Sequence, residues 1–133
     1  MQFTLLTTVA ALAYGTHAAV IGRQGSDNPR LAQFRVFSDY GCSNLNEGFF
    51  TVDTDQSNKC NSFAPYSGST PNGYVSIVLQ ALQPAGEKCK LYLYSDTTCS
   101  ATETEAALNG CDNASVTQDG ASFPTWNSWQ LKC

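Results

Sequence analysis

The chain of 133 residues fits a single domain and carries seven basic against eleven acidic side chains, for a net charge of −4. Its Lys and Arg residues form no run. We therefore expect neither nucleic-acid binding nor adhesion to anionic membranes, because phosphate groups need a positive patch on the protein.

Residues 1–18 have the pattern of a secretory signal peptide. An uncharged stretch of apolar and small residues runs from Leu5 to Tyr14, and the small residues Thr16 and Ala18 follow where a signal peptidase reads them. A membrane anchor is the alternative, but the apolar core has about half of the residues that a spanning helix needs. We expect a secreted, extracellular protein with a flexible arm or pro-segment at residues 19–30, a stretch without periodicity.

Residues 31–133 have the pattern of one mostly β domain. Short runs of alternating apolar and polar residues are separated by turn clusters, which is typical of antiparallel strands. This alternation places Phe34, Phe50 and Trp129 in the core. Only Ser100–Gly110, with early acidic residues and a final glycine, has the pattern of a short helix.

A ten-residue sequence motif occurs twice in this domain. Phe34–Ser43 (FRVFSDYGCS) aligns without gaps with Leu91–Ser100 (LYLYSDTTCS). We interpret the domain as two repeats, at about 31–84 and 89–133, that form an antiparallel β-sandwich of two Greek-key-like halves. Asp39 and Asp96 each end a strand, and we expect them to bind backbone N–H groups of the turn. A pair of acidic calcium sites is the alternative interpretation.

The six cysteines all follow the signal peptide, and an even number in a short secreted chain predicts three disulfides. Zinc is the alternative, but there is no C-x-x-C pair and the only histidine, His17, leaves with the signal peptide. Six cysteines allow fifteen connectivities. The duplication favours one equivalent bridge inside each repeat and a third between the first and last strands of the second repeat: Cys42–Cys60, Cys99–Cys111 and Cys89–Cys133.

The sequence predicts no cofactor, no metal and no catalytic residues. Without a histidine in the mature chain, protease and ribonuclease arrangements lose their usual base. The stretch DTDQSN at Asp53–Asn58 resembles the start of an EF-hand loop, but it lacks the required Gly and Glu, so we predict a turn. A small hydrolase is the last-ranked hypothesis, because glycoside hydrolysis needs only paired carboxylates, and the candidates are Asp39, Glu47, Asp53, Asp55 and Asp96.

Five further residues are candidates for modification or ligand binding. Asn113 begins an Asn-Ala-Ser sequon and is predicted to be an exposed glycosylation site. Tyr66 and Trp126 lie in Pro-flanked, loop-like stretches, and Tyr92 and Tyr94 share the outward face of one strand. Exposed aromatic residues can bind sugars or protein partners. A loop Trp can equally close the end of a sandwich, and for Trp126 both interpretations stay open.

The leader, the size and the six cysteines resemble the small secreted cysteine-rich proteins of filamentous fungi, many of which are candidate effectors, elicitors or toxins. The two repeats, each with an aromatic-Ser-Asp turn, are similar to the double Greek-key units of βγ-crystallin-like domains. The calcium signature of that family is not met, because Val116 stands where it requires a hydroxyl. The first resemblance implies a non-enzymatic monomer that recognises an extracellular host or competitor target. A carbohydrate- or cell-wall-binding module, with a glycan as partner, is the alternative.

Overall fold

The computed structural model describes residues 27–64, 73–114, 117–118, 121–122 and 125–133. Their ten strands are β1 Arg30–Phe37, β2 Asn46–Asp53, β3 Asn61–Ser62, β4 Ser76–Leu82, β5 Lys90–Tyr94, β6 Thr104–Glu105, β7 Cys111–Asn113, β8 Thr117–Gln118, β9 Ala121–Ser122 and β10 Ser128–Lys132. The helical elements of this part of the chain are three short 3-10 turns, at Tyr40–Cys42, Thr54–Gln56 and Pro84–Gly86.

Two four-stranded antiparallel sheets make up the domain, and β8 and β9 pair separately. The first sheet has the strand order β2-β1-β4-β7, and the second has the order β3-β10-β5-β6. Apolar side chains of both sheets meet in one core, where Phe34 of β1 packs edge-on against Trp129 of β10 with ring centroids 5.3 Å apart. The predicted antiparallel β-sandwich is confirmed.

The two repeats exchange their third strands. In the first repeat, β4, β1 and β2 lie side by side in the Greek-key order of strands 4, 1 and 2, while β3 pairs with β10 in the second sheet. The second repeat has the same arrangement, with β10, β5 and β6 together and β7 paired with β4 in the first sheet. Neither repeat therefore contains a complete four-stranded sheet of its own.

Equivalent hydrogen bonds reveal a pseudo-twofold axis between the repeats. Tyr74 and Trp126 pair with each other, and their backbone groups exchange two hydrogen bonds of 3.0 and 2.6 Å. Asn58 and Asn109, with left-handed φ angles of 56° and 59°, each donate an N–H over 2.7 Å to a strand carbonyl of the opposite repeat. The duplication seen in the sequence is thus also a duplication of contacts.

Two of the three predicted disulfides, Cys42–Cys60 and Cys99–Cys111, are wrong. The structure pairs Cys42 with Cys111 and Cys60 with Cys99, while Cys89–Cys133 is confirmed. The reason is the strand exchange: Cys60 directly precedes β3 and Cys111 begins β7. Each exchanged strand therefore brings its cysteine, Cys60 or Cys111, to the cysteine of the repeated motif in the other repeat, Cys99 or Cys42.

The predicted core is largely confirmed. Phe34 and Trp129 are buried, and the half-buried Phe50 stacks on Phe34 with ring centroids 5.2 Å apart. The predicted helix over Ser100–Gly110 is wrong, because its backbone pairs with both sheets instead. Within this stretch β6 pairs with β5, and the N–H of Asn109 donates to a carbonyl of β4.

The repeated motif builds a similar turn in both halves, with left-handed φ angles of 53° at Cys42 and 55° at Cys99, although of the two turns the first alone contains a 3-10 element. Asp39 accepts the N–H of the next residue over 2.7 Å, and Asp96 accepts the N–H of Ser100 over 3.0 Å, so the expected binding of turn N–H groups is confirmed. In each repeat, a fully buried serine donates its hydroxyl to the main-chain carbonyl of this aspartate. Ser76 donates to Asp39 over 2.5 Å, and Ser128 donates to Asp96 over 2.7 Å. The repeated motif therefore has a structural role in each repeat.

Asp96 should contribute to stability in a pH-dependent way. Burial alone would raise its pKa, but hydrogen bonds from Ser100, Thr98 and the backbone outweigh burial and hold the pKa well below the usual range. A depressed carboxyl pKa stabilises the fold above the unfolded-state pKa of about 4, and the contribution is lost as the pH falls below that value.

We expect Asp96→Asn to lower the free energy of unfolding at neutral pH by about 1–2 kcal/mol, since the turn loses charge-assisted hydrogen bonds. The variant should also lose less stability than the wild type between pH 5 and pH 2. Denaturant unfolding across this range measures both effects. Thr98→Ser keeps the hydroxyl that binds Asp96 and serves as the control. Parallel acid profiles for Asp96→Asn and the wild type would contradict the assignment.

Candidate recognition surface

Trp126 lies in the core and not in an exposed loop. Its side chain is 2% exposed, and its Nε1–H donates to the carbonyl of Asp112 over 3.1 Å. The prediction of a ligand-binding Trp126 is therefore wrong. Trp126 pairs with Tyr74 on the pseudo-twofold axis, and this pairing holds the indole inside the sandwich.

The predicted binding tyrosines are not brought together with Trp126. Tyr66 lies outside the described residues. Tyr92 is half-buried, with the Lys132 ammonium 4.3 Å from its ring centroid. Tyr94 is 3% exposed and donates its hydroxyl to Glu103 over 3.2 Å, and burial raises its pKa. Because Lys132 also pairs with Glu103, the outward face of β5 is occupied by contacts within the protein.

The acidic side chains considered for hydrolysis are each engaged by a local partner. Asp39 and Asp96 bind their own turns, and Asp53 lies 3.7 Å from Arg30. Asp55 accepts from the amide of Asn28, and Glu47 accepts the hydroxyl of Ser38. The stretch Asp53–Asn58 contains a 3-10 turn, as predicted. Among the described residues, no three His, Cys, Asp or Glu side chains are grouped as metal ligands.

Asn113 occupies the exposed position predicted for the sequon. It lies on the edge strand β7, and its side-chain oxygen accepts the N–H of Gly41 over 2.8 Å. Attachment of a glycan to the Asn113 nitrogen stays a prediction. A glycan there would mark this side of the first sheet as a solvent-facing surface.

Most of the exposed large apolar residues in the described chain lie on one hairpin. Tyr40, Leu45 and Phe49 belong to β2 and its connection to β1, with 52%, 63% and 59% exposure, while Leu108 lies elsewhere with 52%. We call Tyr40, Leu45 and Phe49 the hairpin surface. The sequence offered one signal for it, because two adjacent Phe residues in an alternating strand must point to opposite faces.

A pocket of about 370 Å³ adjoins the hairpin surface. Five consecutive residues of β2, from Glu47 to Thr51, line it together with Gln56 and Tyr74. Since successive strand residues point to opposite faces, a pocket lined by five in a row runs along the strand edge. Burial, and then the negative charge of Glu47, raise the pKa of Tyr74, so the charge of Glu47 acts on this pocket.

The pocket lies on the one long edge strand in the described part of the chain. In the first sheet the opposite edge, β7, has three residues, and the edges of the second sheet, β3 and β6, have two each. Short edge strands limit pairing with other chains. β2 has eight residues and contains neither Pro nor Lys. We call the side of β2 that faces away from β1 the open edge.

No comparison assigns a role to this surface. The chain matches no protein-family model, no curated protein and no solved structure. Of the described residues, none belongs to a helix that is long and apolar enough to cross a membrane.

Proposed function

We propose that the chain is a secreted, small cysteine-rich protein of effector or toxin type, which recognises a host or competitor protein through the hairpin surface and not by catalysis. The observation that supports this proposal most is the grouping of Tyr40, Leu45 and Phe49 on one hairpin. Phe49 lines the pocket on the unpaired edge of β2 and Leu45 directly precedes that strand, whereas the turn of Tyr40 contacts β4 and β7. Exposed apolar residues beside a pocket and an unpaired edge are typical of interaction sites. The three disulfides fit an oxidising, extracellular compartment.

The backbone conformation and the exposure of Leu45 are those expected of a residue with a binding role. It adopts a left-handed φ of 49°, a conformation that costs a non-glycine residue about 1–2 kcal/mol. Its side chain is 63% exposed, so burial offsets little of that cost. Its carbonyl accepts the N–H of Ser38 over 3.0 Å, which closes the loop in this conformation. Residues that lower stability in this way are expected at functional sites.

We expect Leu45→Asn to raise the free energy of unfolding by about 0.5–1 kcal/mol, because Asn tolerates the left-handed conformation better. The same change should weaken saturable binding of the labelled protein to intact plant or fungal cells about tenfold or more. Leu108→Asn, which removes another exposed leucine across the sheet beside β4, is the matched control. A stabilised Leu45→Asn protein with full affinity would exclude the hairpin surface from recognition.

A carbohydrate- or cell-wall-binding module is the second candidate function. The pocket favours it by combining aromatic residues with the hydrogen-bonding side chains of Glu47, Thr51 and Gln56. The test is retention of the oxidised protein on insoluble chitin, β-glucan, cellulose or pectin. Retention that a soluble oligomer competes, and that Phe49→Ala abolishes, would replace the protein-recognition proposal. Trp126→Ala cannot serve here, because Trp126 is buried.

We also propose that the domain is a double Greek key of the βγ-crystallin-like kind. Its support is the pair of repeats, each with three adjacent strands in Greek-key order. An experimental structure without this order in both repeats would remove that support.

A further inference from the structure

We infer that the open edge of β2 takes up an extended, basic peptide segment of the target as an added strand, with a Lys or Arg side chain in the pocket beside Glu47. This inference rests on the proposed function, and it names the chemistry of the partner.

The backbone of β2 provides the template for an added strand. Its eight residues span about 25 Å at the usual rise of a strand. Beyond a bulge at Glu47, alternate N–H and C=O groups of this edge strand point away from the sheet, and in the described part of the chain no strand pairs with β2 on that side. At the bulge, the N–H of Gly48 donates to the side-chain oxygen of Asn46 over 3.0 Å. Proteins commonly protect such edges, and strand addition to an unprotected edge is a recurrent mode of peptide recognition.

The pocket provides selectivity for a positive charge. Phe49, Phe50 and Tyr74 give it aromatic walls, and Glu47 gives it a carboxylate. Among the described residues, Glu47 accepts the uncharged hydroxyl of Ser38 and forms no ion pair with a Lys or Arg, whereas Asp53 at the other end of β2 lies 3.7 Å from Arg30. A carboxylate beside aromatic rings suits a Lys or Arg side chain, which can form both an ion pair and a cation–π contact.

Charge also favours a basic target segment over a second copy of this chain. The chain has a net charge of −4, so two copies repel each other. If two β2 strands paired antiparallel about Phe50, Glu47 of each copy would face Asp53 of the other, and like charges directly opposite each other are destabilising.

Selection of a linear random dodecapeptide library on the oxidised protein tests the inference. We expect enriched peptides to combine Lys or Arg with alternating apolar residues. Bound peptide should slow hydrogen exchange at every second amide of β2, those that point away from β1. Glu47→Gln should weaken binding by about three- to tenfold and reduce its salt dependence. Glu87→Gln makes the same charge change on an exposed turn and should leave binding unchanged.

The outcomes separate this inference from the proposed function. Strand addition would be overturned if the selected peptides require Leu45, leave the β2 amides unprotected from hydrogen exchange and bind the Glu47→Gln protein normally. The hairpin surface would then remain the recognition site. Failure of the library to yield any binder would also overturn strand addition. The proposed function is decided independently by the cell-binding assay on Leu45→Asn. Glycan retention on the pocket would overturn both.

Discussion

Cys42→Ser is expected to release Cys111, and not Cys60, as a free thiol. It should also lower the free energy of unfolding by about 4 kcal/mol, because the lost bridge closes a long loop in the unfolded chain. The sequence separation of this bridge is 69 residues, against 39 for Cys60–Cys99. Since loop entropy grows slowly with length, Cys60→Ser should cost nearly as much and should release Cys99.

Thiol alkylation followed by peptide mapping identifies the released cysteine, and denaturant unfolding gives the energy. The double variant Cys42→Ser/Cys111→Ser is the control, because it should lose similar stability and show no free thiol. Alkylation of Cys60 in the Cys42→Ser protein would contradict the exchange of strands between the repeats. A change in unfolding free energy below 1 kcal/mol would contradict the stabilising role of the bridge.

Trp126→Ala is expected to lower the free energy of unfolding by about 3–5 kcal/mol, the range for truncating a buried aromatic residue. The indole is 2% exposed, and its loss leaves a cavity where the two repeats meet. The carbonyl of Asp112 would also lose the N–H that it accepts over 3.1 Å. Chemical denaturation monitored by circular dichroism gives the energy without relying on Trp fluorescence.

Trp126→Phe is the matched control for this prediction. It keeps most of the apolar volume but not the hydrogen bond, so it should cost about 1–2 kcal/mol. A Trp126→Ala protein with unchanged stability and selectively lost target binding would show that the indole acts at the surface.

The sequence was sufficient to predict the class of fold but not to predict which strands pair with each other. The alternation of apolar and polar residues predicts strands, and the duplicated motif predicts which residues of the two repeats are equivalent. Equivalence does not decide to which sheet β3 and β7 belong, because bridges within and between repeats preserve the same symmetry. The predicted helix failed for a related reason, since Glu103 and Glu105 pair with Lys132 and Lys90 of the second sheet, and the segment gains tertiary contacts that propensity does not consider.

The candidate site was less predictable than the fold. Trp126 follows a proline by two residues in the sequence, which suggested a loop, yet a partner 52 residues earlier, Tyr74, pairs with it. Phe49 could be recognised as outward-facing from the alternation of β2 alone. Its importance depends on β2 being an edge strand, and only the order of strands in the sheet decides this.

Strand exchange and recognition are connected through the edges of the sheets. Each exchanged strand places a short segment, β3 or β7, at the edge of the opposite sheet, and β6 is equally short. The exchange is held by Cys42–Cys111 and Cys60–Cys99. In the described part of the chain, the long edge of β2 is left for contacts with other molecules.

Residue-resolved hydrogen exchange of the free, oxidised protein tests most directly whether this edge is available. We expect the amides of β2 that point toward β1 to exchange slowly and the alternate amides between Glu47 and Thr51 to exchange as fast as amides in exposed turns. Gly48 is left out of this comparison, because its N–H donates to the side-chain oxygen of Asn46 over 3.0 Å. Uniformly slow exchange across these residues would show that the edge is already covered, and it would contradict recognition through the open edge of β2.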